Sequence, residues 1–179
     1  MSEKHPQSSV NKDNIKIQNW VLICYGNILR SQVLEQYLRH YAKLWAIQIT
    51  FYSAGIAKWD EFPNTDNLLI EVRHELQKRG ITYSLQRNAW SNEVEDRIIS
   101  ADIVLCADTS VKKKVLERMD SRLNSEKIFT FYNKISEGEI DFEDTYDYEK
   151  KRQDPIRFRY AFNEIDRIAK KLLIKFRPY

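Results

Sequence analysis

The stretch Cys24-Tyr25-Gly26-Asn27-Ile28-Leu29-Arg30-Ser31 decides how this chain is read. It follows a short apolar run at residues 20–23 and opens onto residues 31–43. There apolar side chains recur at helical spacing: Val33, Leu34, Tyr37, Leu38, Tyr41 and, just beyond, Leu44. A strand that turns tightly into a helix points several backbone N–H groups into one small hollow, and the helix dipole adds partial positive charge there. Such a hollow suits a tetrahedral oxyanion. It also favours the thiolate of a cysteine at its lip, the form that attacks, while an arginine at the far end offers a planar fork for two anion oxygens. Gly26 permits the tight turn, Asn27 tolerates a left-handed conformation, and Ser31 can give its hydroxyl to the thiolate. The positive charge of Arg30 at a helix start is unfavourable unless an anion sits beside it. These are the parts of a thiol-based phosphatase.

Outward from this turn the chain alternates strand and helix signals. Residues 47–51 alternate in polarity and lead to Ser53-Ala54-Gly55, a second strand. A loop with Trp59 and Pro63 follows, then a helix capped by Thr65 or Asp66 that runs to Arg79 and stops at Gly80. Residues 91–100 read as a shorter helix and 103–107 as a third strand. Thr109 or Ser110 caps a basic helix over 111–119, and 128–131 is a fourth strand. The acidic, aromatic stretch 136–148, which includes Tyr146 and Tyr148, reads as a long exposed loop. The last helix begins after Pro155 and runs to about Phe176, with Phe158, Phe162, Ile165, Ile168, Ala169, Leu172 and Leu173 as its buried stripe. Strands alternating with helices imply a single α/β domain with a four-stranded parallel sheet and helices on both faces. Ligands in such sheets bind beyond the carboxyl ends of the strands at a switch point, where Cys24 falls. Residues 1–18 are polar and aperiodic and read as a flexible leader, with residues 19–179 forming the domain.

Composition narrows the function classes. With 179 residues, 42% hydrophobic and 31% charged, the chain can bury one substantial core. A net charge of +3 permits a phosphorylated substrate without calling for nucleic acid. No apolar run approaches the roughly 20 residues of a membrane span, and residues 1–14 lack the apolar centre of a signal peptide. The two cysteines, Cys24 and Cys106, both end apolar strand-like runs, which points to free thiols in a reducing, cytoplasmic setting.

Displacing a phosphoryl group by a thiolate leaves an alkoxide or phenoxide, and protonating it in flight is worth roughly a hundredfold or more. Asp154, fixed in conformation by Pro155 at the mouth of the final helix, is the carboxylate read for that task. The same pair also reads as a plain helix cap with proline at the first helical position.

Over residues 20–173 the chain resembles the low-molecular-weight protein tyrosine phosphatase family. The family's nucleophile loop, Cys-x-Gly-Asn-Ile-Cys-Arg-Ser, is matched at Cys24, Gly26, Asn27, Ile28, Arg30 and Ser31. Its Ser-Ala-Gly matches Ser53-Ala54-Gly55, its Gly-Ile matches Gly80-Ile81, its Ala-Asp and later Asp match Ala101-Asp102 and Asp108, and its Asp-Pro matches Asp154-Pro155. The resemblance implies hydrolysis of phosphotyrosine on a protein or peptide through a cysteinyl-phosphate, without metal or other cofactor, and without nucleic acid or membrane as partner. It makes Cys24 the nucleophile, Arg30 the phosphoryl-binding fork and Asp154 the general acid, then base. Backbone amides of Tyr25, Gly26, Asn27, Ile28, Leu29 and Arg30 would form the anion cradle, supported by the side chains of Asn27 and Ser31. Trp59 falls where many members carry a tryptophan that walls the cleft, and reads equally as a partly exposed loop aromatic.

The chain departs from the family pattern at several places. Ile156 and Arg157 follow Asp154-Pro155 where relatives have aromatics, and Arg157 and Arg159 offer charge for an acidic flank or simply a solvated helix start. Gln86 and Ala89 stand in a usual His-x-x-Arg, and Gln32 replaces a usual proline. Protein-arginine phosphatase relatives tend to carry threonine at the position of Ile28, so isoleucine fits tyrosine better. A catalytically weak phosphate-binding module is the reading from another class, and an arsenate reductase would need two more cysteines where only Cys106 is available. Leu29 replaces the frequent second cysteine, so no neighbouring thiol can trap an oxidised Cys24 as a disulfide. Peroxide is therefore expected to drive Cys24 to over-oxidised acids. The check is thiol titration and activity after peroxide and then reductant, with poor recovery expected of both.

Overall fold

The computed structural model describes residues 17–62, 64–138 and 140–177. Of the stretch read as a leader, residues 1–16 lie outside the described residues, and Gln18 already belongs to the first strand. Four parallel strands form the central sheet: β1 (Gln18–Cys24), β2 (Ile49–Gly55), β3 (Ile103–Cys106) and β4 (Ile128–Thr130), in the order β2-β1-β3-β4. A small antiparallel hairpin, β5 (Tyr146–Asp147) with β6 (Arg152–Gln153), lies apart from it. The helices are α1 (Arg30–Leu44), α2 (Thr65–Lys78), α3 (Asn92–Ser100), α4 (Thr109–Met119), α5 (Phe131–Lys134) and α6 (Pro155–Leu173). The expected fold class holds.

Side chains alternate across β1, and this splits the core into two layers. Trp20, Leu22 and Cys24 pack with Leu34 and Leu38 of α1 and with Phe162, Ile165 and Ile168 of α6. Val21 and Ile23 face the other way, toward Val94 and Ile98 of α3 and Val111 and Val115 of α4. β1 pairs with β2 on one side and β3 on the other, so connections leave its end in opposite directions. A crevice opens there, and Cys24 is the last residue of β1.

Two local expectations change. Asp108, rather than Thr109 or Ser110, caps α4, its carboxylate accepting from the Val111 N–H at 2.7 Å. Likewise α2 begins at Thr65 after Asn64, and the Thr65 hydroxyl turns back to donate to the Phe62 carbonyl. The larger correction concerns the described residues of 136–148, many of which are exposed as expected but which are anchored at two buried points. Phe142 and Thr145 are buried, and the Phe142 N–H donates to the Ala107 carbonyl at 3.1 Å. Asp141 accepts from the Thr109 N–H and hydroxyl. Acidity suggested solvent, and Asp141 is indeed exposed, yet its bonds to Thr109 help hold the segment down.

The same segment starts with an ionic clamp onto α6. Arg167 donates to both oxygens of Glu137, at 2.5 and 2.6 Å, and Lys171 adds a third contact. The Arg167 bonds first, and then Lys171, pull the Glu137 carboxyl down to about 2 from an ordinary 4.5. A carboxyl that binds its proton less tightly in the fold stabilises the fold above its unfolded value, and that contribution is lost as pH falls through the folded one. Glu137→Gln is thus expected to lower the unfolding temperature at neutral pH. The difference from wild type should close between about pH 4.5 and 2 in thermal melts run across that range.

Candidate active site

Cys24 ends β1 and α1 begins six residues later, with Leu29 at its N-cap, no capping side chain and no acidic residue in the first turn. An α-helix N-terminus left in this state presents donors and partial positive charge to whatever lies in front of it. Here that is Cys24. The Asn27 N–H donates to the Cys24 Sγ at 3.2 Å, and the Ser31 Oγ shares a hydrogen bond with it at 3.0 Å. Asn27 adopts φ 51°, the left-handed conformation its short amide tolerates, and that side chain locks the turn. Its Nδ2 donates to Ser31 Oγ and Ser53 Oγ, both at 3.0 Å, and its Oδ1 accepts from the Asn88 N–H at 2.7 Å. Gln32, where the family has proline, donates to the Asn27 carbonyl at 3.1 Å and so braces the same turn. Gly55 is explained by contact rather than by torsion. A Cβ there would lie 2.8–2.9 Å from backbone atoms of Tyr25, Gly26 and Asn27, so only glycine lets β2 back the loop.

Arg30 is 4% exposed. Its Nη1 donates to Asp108 Oδ2 at 2.7 Å and to the Phe142 carbonyl at 3.1 Å, and its Nη2 donates to Asp144 Oδ2 at 2.9 Å. Burial opposes the charge on Arg30, but Asp144, Cys24 and Asp108 outweigh it and raise its proton affinity above the ordinary value. Burial also opposes the Asp108 carboxylate; the Val111 N–H, Arg30 and the Ser110 hydroxyl more than offset that and hold it below the usual carboxyl range. The sequence expected an anion to balance Arg30, and in this structure two carboxylates do so.

Cys24, Gly26, Ile28, Leu29 and Arg30 line one small cleft that opens to solvent. Asn27 and Ser31 stand behind it, fully buried. Tyr25 sits at the rim, its hydroxyl donating to Glu61 at 2.6 Å and its ring edge-on to Phe62 and Tyr148. The opposite wall is Phe62, Asp144, Thr145, Tyr146, Tyr148 and Gln153.

Two expected site residues are not brought there. Asp154 lies outside the cavity lining and caps α6, accepting from the Ile156 and Arg157 N–H groups at 2.9 Å. The Arg157 N–H bond above all holds its carboxyl below the ordinary value, the wrong direction for a proton donor. Trp59 is 61% exposed, stacked under Arg87 rather than facing the cavity. Ile156 is exposed too, and Arg157 pairs with Glu143 at 3.0 Å, so that basic stretch clamps the acidic segment. Cys106 is buried, and burial pushes its thiol up, which leaves it unreactive. Among the described residues no group of three or more His, Cys, Asp or Glu is placed to hold a metal ion.

Arg87 was missed altogether in the sequence. It is 2% exposed and donates from Nε to the Gly26 carbonyl at 2.9 Å, from Nη1 to the Trp59 carbonyl at 3.0 Å and from Nη2 to the Lys58 carbonyl at 2.5 Å. It thus ties the Cys24 loop to the segment carrying Phe62. Within the run Gln86-Arg87-Asn88-Ala89, the loss of the family's His-x-x-Arg was the only signal that a different residue braces this place. Asp144 was hidden inside an acidic run whose charges look alike in sequence, and Tyr146 and Tyr148 read as loop aromatics.

The model of the family described as low molecular weight phosphotyrosine protein phosphatase matches residues 19–177. The chain belongs to that family. Among solved structures, the low molecular weight protein tyrosine phosphatase of T. tengcongensis is 23% identical with a TM-score of 0.70, over 88% of this chain and 99% of that one. VcLMWPTP-2 of Vibrio cholerae O395 is 21% identical with a TM-score of 0.72, over 88% and 95%. The YwlE arginine phosphatase of Geobacillus stearothermophilus shares the fold at 19% identity and a TM-score of 0.67, over 88% and 92%. No curated protein matches the chain in sequence.

Replacing Arg87 by Met leaves three carbonyls of the site's framework without their donor. The expected result is a loss of about 2–4 kcal/mol of stability in urea unfolding, together with weaker binding of inorganic phosphate by titration calorimetry.

Proposed function

We propose that this phosphatase-family member hydrolyses phosphotyrosine in protein or peptide substrates through a cysteinyl-phosphate intermediate, with Cys24 as nucleophile, Arg30 as phosphoryl-binding fork and Asp144 as general acid and base. The observation that carries the proposal is the meeting of Cys24, Arg30 and Asp144 on one narrow cavity at an uncapped helix N-terminus.

The substrate's phosphoryl oxygens would take the place of the Asp144 carboxylate on the Arg30 Nη2, and Asp108 would keep the guanidinium aligned through Nη1. Asp144, displaced by the group it is to serve, then lies beside the leaving oxygen. The Cys24 sulfur attacks phosphorus, the P–O bond to the aryl group breaks, and Asp144 supplies the proton that neutralises the departing phenoxide. Ser31 and the Asn27 N–H, 3.0 and 3.2 Å from Sγ, stabilise the thiolate both as nucleophile and, in the second step, as leaving group. Water then attacks the cysteinyl-phosphate, with Asp144 taking its proton.

The walls favour an aromatic ester. Phe62, Tyr146, Tyr148 and Ile28 surround the mouth, with ring centroids of Phe62 and Tyr146 5.3 Å apart and those of Tyr146 and Tyr148 4.9 Å apart. These rings come from residues ahead of Asp154-Pro155, after which Ile156 and Arg157 stand. A flat ring slides between such edges more readily than a guanidinium that must keep its hydrogen bonds.

Three outcomes are expected. Cys24→Ser abolishes turnover of aryl phosphates. Asp144→Asn slows phosphotyrosine peptides by about a hundredfold and activated aryl phosphates far less. Asp154→Asn, which keeps a capping oxygen, leaves both rates within about twofold. Equal slowing of both substrate types by Asp144→Asn would remove Asp144 from the acid role. A panel of phosphotyrosine, phosphoserine and phosphoarginine peptides checks the substrate class, with phosphotyrosine expected to be preferred.

A further inference from the structure

Gln153 stands in β6 directly opposite Tyr146 of β5, is 6% exposed, and lines the same cavity as Cys24, Arg30 and Asp144. Its Oε1 is the one buried side-chain oxygen or nitrogen, among the described residues, that has no hydrogen-bond partner. A carbonyl closed off from water and left unpaired is costly, and its presence in a native fold calls for an explanation such as a role in the reaction. Arg30 does not donate to it here: its terminal nitrogens bond to Asp108, Phe142 and Asp144.

A donor that comes with the reaction would fill that place. A phosphoryl dianion brings acceptors only, and an aryl ester oxygen carries no hydrogen. The water of the second step carries two. One proton passes to Asp144 as the O–P bond forms, while the P–S bond breaks and its electron pair returns to Cys24 as thiolate. The other hydrogen stays on the oxygen and requires an acceptor to fix the direction of the lone pair that attacks. The hairpin holds the two acceptors in register. Tyr146 pairs with Gln153, and the Asp154 N–H donates to the Thr145 carbonyl at 2.8 Å, so the strand after Asp144 and the strand bearing Gln153 move as one piece.

We propose that Gln153 is a positioning residue for the hydrolytic water, acting in dephosphorylation of the cysteinyl enzyme and not in its formation. The proposal rests on the cysteinyl-phosphate route above.

The test separates the two half-reactions in the full chain with an aryl phosphate. Gln153→Met, similar in length but without an acceptor, is expected to lower kcat about tenfold while kcat/KM stays within about twofold, so that KM falls in parallel. Rapid mixing should show a larger burst of phenol, and acid quench should trap more phosphoenzyme. With glycerol present, the ratio of phosphoglycerol to inorganic phosphate should rise, because only water loses its acceptor. Gln153→Glu keeps an oxygen there and is expected to hold the wild-type ratio even where its overall rate drops. An unchanged ratio in Gln153→Met, equal shifts in both variants, or a fall in kcat/KM matching that in kcat would each overturn the proposal. If wild-type enzyme traps no phosphate on Cys24, the cysteinyl-phosphate route itself fails and takes this role with it. Trapping in wild type without a change in Gln153→Met sinks the Gln153 role alone.

Discussion

The buried guanidinium of Arg30 is the constraint around which the rest of the site is arranged. Its two terminal nitrogens gather three segments far apart in sequence: the turn after β1, the turn after β3 through Asp108, and the acidic segment through Asp144 and the Phe142 carbonyl. A charge this deep is tolerable only when paired, and removing one partner from such a buried set typically costs about 3–5 kcal/mol. Folding of the acidic segment onto the sheet is thus coupled to the electrostatics of Arg30. The arrangement also sets a condition on any ligand. Asp144 already holds one position on Nη2, so an anion that displaces it has to offer Arg30 more than one carboxylate does, and a phosphoryl dianion with several oxygens meets that condition.

The two sides of the cavity are built differently. The Cys24 side is a close-packed frame in which Asn27, Ser31, Ser53 and Asn88 satisfy one another and Gly55 lets β2 press against the turn. Arg87 extends that frame outward through three backbone carbonyls. The opposing side is a hairpin of two two-residue strands and a group of aromatic edges held by Arg157, Tyr148 and the Thr145 carbonyl. Chemistry that demands fixed geometry at sulfur and a second wall able to part for a ring is consistent with that division.

The β1–α1 turn and the alternation of strands with helices were legible because their signals are local. An apolar run, a glycine, an asparagine able to take positive φ and a helical stripe say the same thing within twenty residues of one another. Asp154 was read as the acid for the same reason. Asp-Pro before a helix is a strong local signal, and locally it means a cap, which is how Asp154 is used. Nothing near Asp144 distinguishes it from Asp141, Glu143 or Asp147. What sets it apart is Arg30, 114 positions earlier. Arg87 and Gln153 were invisible on similar grounds, since what places them is backbone carbonyls of distant loops in the one case and the lining of the Cys24 cleft in the other.

By itself, then, the sequence determined the α/β architecture, the seat of Cys24 at the end of the first strand and the company of Asn27, Arg30 and Ser31, all consequences of short-range backbone preference and periodic burial. Only the tertiary structure decided which carboxylate, which aromatics and which amide line the same cleft as that sulfur. Long-range pairing of buried charge depends on where chain segments meet, and sequence spacing carries no record of that.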